Sequence, residues 1–296
     1  MYPPKFDYYR ANSIAEALSL LGQYQGAKVL AGGHSLIPAM NLRLADPGIL
    51  IDIGRISEMR GISTADGSVR IGALTPHAIV AASTQVPQAL SEAAGKIGDP
   101  QVRNRGTIGG NIAHADPGSD LPTVLTALDA TVHTASAGGE RALAAADFFT
   151  GLFETALQEG EIVTAIDVPA LGAGSGSAYA KLENPASRYA MVGVAARVTL
   201  ENGSCTDARV AVGGLVPSAK RATSVENALI GKKLNRDVIT TADAISSAAQ
   251  SIQNDLGDDI LEDIHSSAEY RKSMATVFAR RAITAAMERA MSIRDT

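Results

Sequence analysis

The sequence predicts an α+β protein of two domains that meet near residue 174. Helical and strand patterns alternate through the first part of the chain, and a flexible glycine- and serine-rich stretch follows at 172–177. Beyond it come a pair of strands and then mainly helices. The length of 296 residues suits two or three compact units. We therefore expect one domain at 1–174, with lobes at 1–55 and 56–174, and a second domain at 175–296.

Composition and charge exclude several classes of function. Hydrophobic residues make up 46% of the chain and the formal net charge is −5, so the basic surface of a nucleic-acid binder is not expected. No stretch approaches the roughly 20 apolar residues of a membrane span, and the first residues carry no secretory signal. Cys205 is the only cysteine, which rules out an iron–sulfur cluster held by four thiolates in this chain. A reducing, cytoplasmic location is the expectation.

The first lobe is predicted to be a β-α-β-β unit. Ser13 and Glu16 form a capping box that opens a helix ending at Gly22. Short apolar runs at 28–31 and 49–53 are typical of buried strands, and the first of them continues directly into a Gly-Gly pair.

The other elements follow from the same patterns. In the second lobe we expect an irregular stretch at 98–120, strands at 69–73, 130–134 and 161–168, and helices at 87–97, at 121–128 and from Pro76, capped by Thr75. In the C-terminal domain we expect a half-buried strand at 194–201 paired with 208–212, and helices at 237–254 and 269–291.

Two glycine-rich loops are the candidate binding motifs: Ala31-Gly32-Gly33-His34-Ser35 and Thr107-Ile108-Gly109-Gly110-Asn111. Glycines let successive backbone N–H groups converge on an anion, and both loops add hydroxyl or amide side chains. Neither loop matches the P-loop or the Rossmann pattern of glycines. A single Gly-Gly pair is more often only a tight turn, so the residues alone indicate a candidate phosphate site and no more.

These motifs resemble those of a known family. The segments Ala31–Pro38 and Gln101–Pro117, with Ala178–Leu182 and Tyr270–Lys272 further on, closely resemble the medium, FAD-binding subunit of molybdenum hydroxylases of the carbon monoxide dehydrogenase type. The similarity covers nearly the whole chain in the family's order.

The resemblance implies a two-lobed FAD-binding domain of the vanillyl-alcohol-oxidase (PCMH) type, followed by a three-stranded sheet with a helical bundle. It implies one bound FAD and two partners, a large molybdenum-cofactor subunit and a small subunit with [2Fe–2S] clusters, paired as a dimer of heterotrimers. Electrons would pass from the clusters to FAD and on to an external acceptor. No catalytic acid, base or nucleophile, and no metal ligand, is expected from this chain.

The resemblance also implies which residues bind FAD. The diphosphate would be held by both loops, that is by Ala31, Gly32, Gly33, His34, Ser35, Thr107, Ile108, Gly109, Gly110 and Asn111, and Leu36 is also expected among the FAD-binding residues. Asp120 would contact ribose or adenine-side hydroxyls, and Ile97 and Val163 would line the flavin and adenine environment. Lys181 would lie near the isoalloxazine, where a positive charge stabilises the reduced flavin, and Tyr189 would reach the ring. From the residues alone, these last four could equally be core, strand-edge or domain-packing residues.

Three alternatives remain open at this stage. A Gly-Gly-His-Ser loop is also similar to that of flavin oxidases in which the histidine, here His34, bonds covalently to the flavin. A self-contained reductase would need its own acid in the C-terminal part, where no such signature is evident. A non-catalytic assembly protein without FAD is disfavoured because both loops are intact. The irregular spacing of His114, Asp116 and Asp120 does not favour a metal site.

Overall fold

The computed structural model describes residues 2–235 and 238–292, and it shows a mixed α and β protein built on three main sheets. Asp237, where a helix was predicted to begin, and residues 293–296 of the predicted second domain lie outside the described residues. Within the described part of the chain, no helix is both long and apolar enough to cross a membrane.

The first lobe is a parallel three-stranded sheet in the order β1-β3-β2. Its elements are β1 (Asp7–Arg10), α1 (Ile14–Gln23), β2 (Lys28–Leu30), α2 (Leu36–Asn41) and β3 (Ile49–Asp52). The capping residues of α1 are as predicted: the Ser13 hydroxyl accepts from the Glu16 amide at 3.1 Å. The Glu16 carboxylate, however, accepts from the amide of Asn12 at 2.7 Å.

The predicted β-α-β-β order was wrong, because a second helix, α2, separates β2 from β3. It begins as a turn, in which the Ile37 amide donates to the Gly33 carbonyl at 3.0 Å. Met40 then anchors it, since that side chain is fully buried. Burial of one large side chain holds six residues helical, and a helix so short leaves almost no periodic signal in the sequence.

The second lobe is an antiparallel sheet of five strands, in the order β4-β5-β10-β6-β7, covered by helices. After a 3₁₀ turn at Ser57–Met59 its elements are β4 (Ile62–Ala65), β5 (Ser68–Gly72), α3 (His77–Ala82), α4 (Gln88–Gly95), α5 (Pro100–Arg105), α6 (Ile108–His114), α7 (Asp120–Ala127), β6 (Thr131–Ser136), β7 (Gly139–Ala144), α8 (Ala145–Phe148), β8 (Phe149–Gly151), β9 (Glu154–Thr155) and β10 (Ile162–Pro169).

The stretch at 98–120 is not irregular as predicted, since it contains α5 and α6. Asp99 caps α5 by accepting from the Val102 amide at 2.8 Å, and Pro100 takes the first helical position. Thr107 caps α6 by accepting from the Gly110 amide at 3.2 Å. The sequence analysis overlooked both capping residues because the glycines in this stretch favoured a prediction of irregular structure. Thr75 was also predicted wrongly as a cap, because its hydroxyl bonds to the backbone of Gly61 instead.

The C-terminal part carries an antiparallel sheet of four strands, β11-β12-β13-β14, where three were expected. The fourth strand is two residues long, and the Ala222 amide extends its pairing by donating to the Val210 carbonyl. The elements are β11 (Ser175–Glu183), β12 (Ala190–Glu201), β13 (Ser204–Gly213), β14 (Lys220–Arg221), α9 (Thr223–Leu229), α10 (Val238–Gln250), α11 (Gln253–Leu256) and α12 (Ala268–Ser292).

Both faces of this sheet are covered, which corrects the expectation of a half-buried strand. Ala195, on the face opposite Val194, is fully buried in the core shared with the second lobe, and α7 packs against β12 and β13 on that side. The other face packs on α12 and α9 around Val194 and Val198, and α10 packs on these two helices.

The predicted hinge at 172–177 is partly strand, because β11 starts at Ser175. Gly176 serves packing there: a Cβ would lie 2.1 Å from the carbonyl oxygen of Ala286 in α12. The helix can therefore rest directly on the strand only where a side chain is missing.

We expect Gly176→Ala to lower the free energy of unfolding by about 1–3 kcal/mol, because the added methyl forces α12 away from β11. Gly172→Ala is the matched control, since no atom lies within 4 Å of the position that its methyl group would occupy. Denaturant unfolding of both variants measures the difference. Equal stability of the two variants would contradict this packing account.

Candidate functional site

The first glycine loop follows the carboxyl end of β2. Gly33 turns the chain with a φ of +78°, which favours glycine, and α2 starts three residues later. Gly32 has no room for a side chain, because a Cβ would lie 2.2 Å from the carbonyl oxygen of Arg105. The first loop is thereby pressed against the segment that leads into the second loop.

The backbone amides of the first loop have no partner in the described part of the chain. No described residue accepts a hydrogen bond from the N–H groups of residues 32–36. Gly32, Gly33 and His34 line a cavity of about 690 Å³ together with Thr107, whereas Ser35 and Leu36 are not among its lining residues. Successive unpaired amides of this kind form a concave nest that binds anionic oxygens.

The second glycine loop uses its amides inside the protein. The N–H of Ile108 donates to Thr75 at 3.1 Å, and that of Gly109 donates to Ala73 at 2.8 Å, both to carbonyl oxygens. The Gly110 amide donates to the Thr107 hydroxyl. A Cβ on Gly109 would lie 2.5 Å from that of Ala73. The second loop is therefore fixed to the second lobe by its backbone amides. In the first loop these same groups have no partner among the described residues.

The second loop offers side chains to a ligand instead. The Thr107 hydroxyl accepts from Gly110, which leaves its own hydrogen to donate, and Thr107 lines the cavity. Asn111 donates its side-chain amide to the Ser119 hydroxyl at 2.9 Å. Its Oδ1 is buried with no hydrogen-bond partner among the described residues. A buried polar atom without a partner is rare and indicates a group that a ligand or water satisfies.

Positive charge surrounds the cavity, which the sequence analysis missed. Its lining contains one acidic residue, Asp52, and four arginines: Arg10, Arg55, Arg60 and Arg105. Arg10 bonds to Tyr8 and lies 3.8 Å from the Asp52 carboxylate. Arg55 and Arg105 have no ion-pair partner among the described residues. In a chain of net charge −5, this clustering favours an anionic ligand such as a diphosphate.

A second group of predicted residues gathers around a buried ion pair. The Lys181 ammonium lies 3.0 Å from the Asp120 carboxylate, and their side chains are only 1% and 4% exposed. The Tyr179 hydroxyl donates to Asp120 at 2.6 Å. Burial raises the pKa of Asp120 above its ordinary value, while Lys181 and Tyr179 oppose that shift. Burial and the Asp120 charge also raise the pKa of Tyr179, so its hydroxyl stays a donor.

Tyr189 ends the loop at 184–189, which connects β11 and β12. Its ring lies against Gly118, where a Cβ would be 2.9 Å from the ring, and the residue is 45% exposed. The pKa of the phenol is raised by burial first, and then by the negative charges of Asp116 and Asp120. Tyr189 is thus a neutral aromatic side chain close to the buried ion pair.

Ile97 and Val163 both belong to the apolar core of the second lobe. Ile97 is partly buried just after α4, and its carbonyl accepts from Arg103 at 3.0 Å. Val163 is 6% exposed at a bulge of β10, where the pairing register shifts before Ala165. Neither residue is among those lining the cavity at the first loop.

His34 is exposed at the cavity, with its Nδ1 3.3 Å from the Gly32 carbonyl. A hydrogen on Nδ1 donates to that carbonyl, which leaves Nε2 directed elsewhere. Behind it lies His77, which is 3% exposed and has no partner on Nδ1 among the described residues. The ring of His77 packs on Gly106, where a Cβ would lie 2.8 Å away.

Two family models match nearly the whole chain. Residues 4–171 match the FAD binding domain in molybdopterin dehydrogenase, and residues 177–286 match the CO dehydrogenase flavoprotein C-terminal domain. The chain therefore belongs to the family of FAD-binding medium subunits of molybdenum hydroxylases, and it is an oxidoreductase subunit that binds FAD.

Individual relatives agree with this family. The chain is 40% identical over 293 residues to the carbon monoxide dehydrogenase medium chain of Hydrogenophaga pseudoflava, covering 98% of this chain and 99% of the relative. It is 39% identical to subunit alpha of the 6-hydroxypseudooxynicotine dehydrogenase complex of Paenarthrobacter nicotinovorans, covering 100% and 99%. A solved carbon monoxide dehydrogenase from Hydrogenophaga pseudoflava matches with a TM-score of 0.91 at 41% identity, covering 98% of this chain and 99% of that chain.

The predicted residues thus fall into two neighbouring groups rather than one. Of the predicted residues, Ala31, Gly32, Gly33, His34 and Thr107 line the cavity, whereas Asp120, Lys181 and Tyr189 gather at the junction with the C-terminal sheet. The hydrogen bond from the Asn111 side chain to Ser119, the residue before Asp120, connects the second loop to the second group. The four arginines left no local signal in the sequence, because they come from segments far apart along the chain, from Arg10 to Arg105.

We expect acid to destabilise the protein through His77. Burial, with a smaller contribution from the charge of His34, lowers the pKa of His77 to about 4. The unfolded chain takes up a proton near pH 6.5, so stability falls as the pH drops from about 6.5 towards 4, by up to roughly 3 kcal/mol. Denaturant unfolding across this range should show a shallower pH dependence in His77→Gln.

The matched control is His265→Gln, since His265 is exposed and remote in sequence from the site. That variant should keep the parent pH dependence. A His77→Gln profile that superimposes on the parent profile would show that His77 does not carry the effect.

Proposed function

We propose that this chain is the FAD-carrying electron-transfer subunit of a heterotrimeric molybdenum hydroxylase. Its expected partners are a large molybdenum-cofactor subunit and a small [2Fe–2S] subunit, with two heterotrimers paired as a dimer. When bound, FAD supplies electron transfer from the clusters of the small subunit to an external acceptor. The observation that carries the proposal is the run of unpaired amides at residues 32–36, beside an arginine-lined cavity.

The residues present fit a dinucleotide. The amides of the first loop suit the oxygens of a diphosphate, and the missing side chain of Gly32 lets the two loops approach closely. The orphaned Oδ1 of Asn111 and the free hydrogen of the Thr107 hydroxyl add one acceptor and one donor. The arginines supply the charge that a diphosphate requires.

The chain's own residues bind and orient rather than react. We infer that the first loop holds the diphosphate through its backbone, while the second loop contributes Thr107 and Asn111 from a fixed backbone. Asp120, Ile97 and Val163 are proposed contacts of the adenine and ribose or flavin environment, and Tyr189 of the flavin ring. No side chain of this chain is assigned acid–base work on the substrate.

Several finer features belong to the same proposal. The two lobes followed by a sheet-and-helix unit support a vanillyl-alcohol-oxidase (PCMH)-type FAD domain at 1–174 and a separate domain at 175–296. The limits of the two family matches, at 171 and 177, support a boundary close to this position. The single, buried thiol of Cys205 is in keeping with a reducing, cytoplasmic location.

The substrate is proposed to be chosen on the large subunit. The relatives are named for glyceraldehyde, carbon monoxide, nicotine and caffeine, which share no chemistry that one flavin subunit could recognise. What these relatives share with this chain is the medium, FAD-binding part.

We expect the purified full chain to bind FAD at least about 100-fold more tightly than FMN, because FMN lacks the diphosphate that the amides and arginines would hold. Titration calorimetry with both flavins measures the ratio. Comparable affinities would contradict the assignment of the first loop as a diphosphate site. ADP-ribose, which carries the diphosphate without the flavin, should compete with FAD.

The alternative function, a self-contained flavin oxidase, requires a covalent bond to His34, whose exposure at the cavity permits it. Acid precipitation distinguishes the two functions. We expect all flavin to be released into the supernatant. Yellow colour that stays in the protein pellet, and is lost in His34→Ala, would support the covalent oxidase.

A further inference from the structure

The ammonium group of Lys181 is fully engaged by the protein itself. Besides the Asp120 carboxylate at 3.0 Å, it donates to the carbonyl oxygens of Lys96 at 3.0 Å and Arg188 at 2.6 Å. An ammonium has three hydrogens, and three acceptors surround this one. At 1% exposure, the side chain has no free donor to offer a ligand.

The three acceptors lie on three separate segments. Lys96 follows the end of α4, Asp120 begins α7, and Arg188 is in the loop that ends at Tyr189. Lys181 itself is in β11 of the C-terminal sheet. One buried cation thus ties this sheet and its loop to two helices of the second lobe.

The loop at 184–189 depends on hydrogen bonds for its position. Residues 185–189 are exposed, and Arg188 has a φ of +61°, which is uncommon for a residue with a side chain. Such a conformation persists where the surroundings hold it. The Arg188 amide donates to the Asn184 carbonyl, and its guanidinium donates to Gly98 at 3.3 Å. The hydrogen bond from Lys181 to the Arg188 carbonyl, at 2.6 Å, is shorter than both of these, and its donor is a charged ammonium group.

We propose that Lys181 is a positioning residue, which fixes Tyr189 by holding the carbonyl of the preceding residue. Its charge is balanced by Asp120 and acts on the loop rather than on FAD. The part of this inference that concerns the flavin depends on the proposed function, in which Tyr189 faces the ring. The part that concerns the loop depends only on the contacts above.

The first test is amide hydrogen exchange on the full chain, with and without FAD. In Lys181→Met, the amides of Asn184, Arg188 and Ala190 should exchange at least about tenfold faster, because their bonds lie in or beside the released loop. The strands β12 and β13 away from the loop should keep their protection. Unchanged exchange in the loop would overturn the inference.

Lys220→Met is the matched control. Lys220 also donates to a carbonyl, that of Leu256 at 2.8 Å, but at the far edge of the same sheet. This variant should leave exchange at residues 184–190 as in the parent. Faster exchange of this loop in Lys220→Met would show that the effect is general to the sheet, and would overturn the inference.

A lone Lys181→Met change leaves the Asp120 carboxylate buried and unpaired, which can prevent folding. The double variant Lys181→Met with Asp120→Asn removes both charges and keeps an oxygen for the Tyr179 hydroxyl. It still lacks the donor to Arg188, so it should show the same faster loop exchange. A folded double variant with parent-like exchange would overturn the inference.

The second test measures the midpoint potential of bound FAD in a double-mutant cycle with Tyr189→Ala. If Lys181 acts through the loop, Lys181→Met shifts the potential in the parent and has no further effect once Tyr189 is removed. The same shift in both backgrounds would mean that the Lys181 charge acts on FAD directly, against the inference. If loop exchange is faster but the midpoint potential is unchanged in both backgrounds, Lys181 still holds the loop. That result would overturn the placement of Tyr189 against FAD.

Discussion

The close approach of the two glycine loops is the constraint on which the rest of the site depends. Gly32 has only 2.2 Å between the position of a Cβ and the Arg105 carbonyl oxygen, and a Cβ on Gly106 or Gly109 would lie 2.8 Å from His77 or 2.5 Å from Ala73. The Gly32 contact joins the first lobe to the second, whereas the contacts of Gly106 and Gly109 position the second loop within its own lobe. The cavity exists because backbone meets backbone at this junction, where no side chain keeps the lobes apart.

The two loops, which are alike in sequence, have different roles in the structure. The second loop donates the amides of Ile108 and Gly109 to carbonyls of its own lobe, so it is held rigidly and presents side chains. The first loop follows a short strand, and its backbone amides at residues 32–36 have no partner among the described residues. It therefore offers backbone N–H groups to a ligand. With the second loop fixed opposite the unpaired amides of the first loop, an anion can bind with little reorganisation, because the hydrogen-bond donors are already in place before the ligand arrives.

Local patterns predicted well what local interactions decide. Ser13 and Glu16 signal the start of α1, and the apolar runs of β2, β3 and β10 signal buried strands. Both glycine loops were evident from composition, and the family motifs identified the FAD-binding subunit. The elements missed were those stabilised from a distance. One buried side chain, Met40, holds α2, and the neighbouring strand β13 holds β14. The arginine cluster and the three acceptors of Lys181 come from segments far apart in sequence, so no window of residues contains their signal.

Amide hydrogen exchange at the two loops, before and after addition of FAD, tests the central claim most directly. The account predicts that the amides of residues 32–36 exchange rapidly without FAD and become protected by at least about tenfold when it binds. The amides of Ile108 and Gly109 should be protected in both states, since their acceptors are internal. FAD binding that leaves residues 32–36 unprotected, or that newly protects Ile108 and Gly109 instead, would contradict the account.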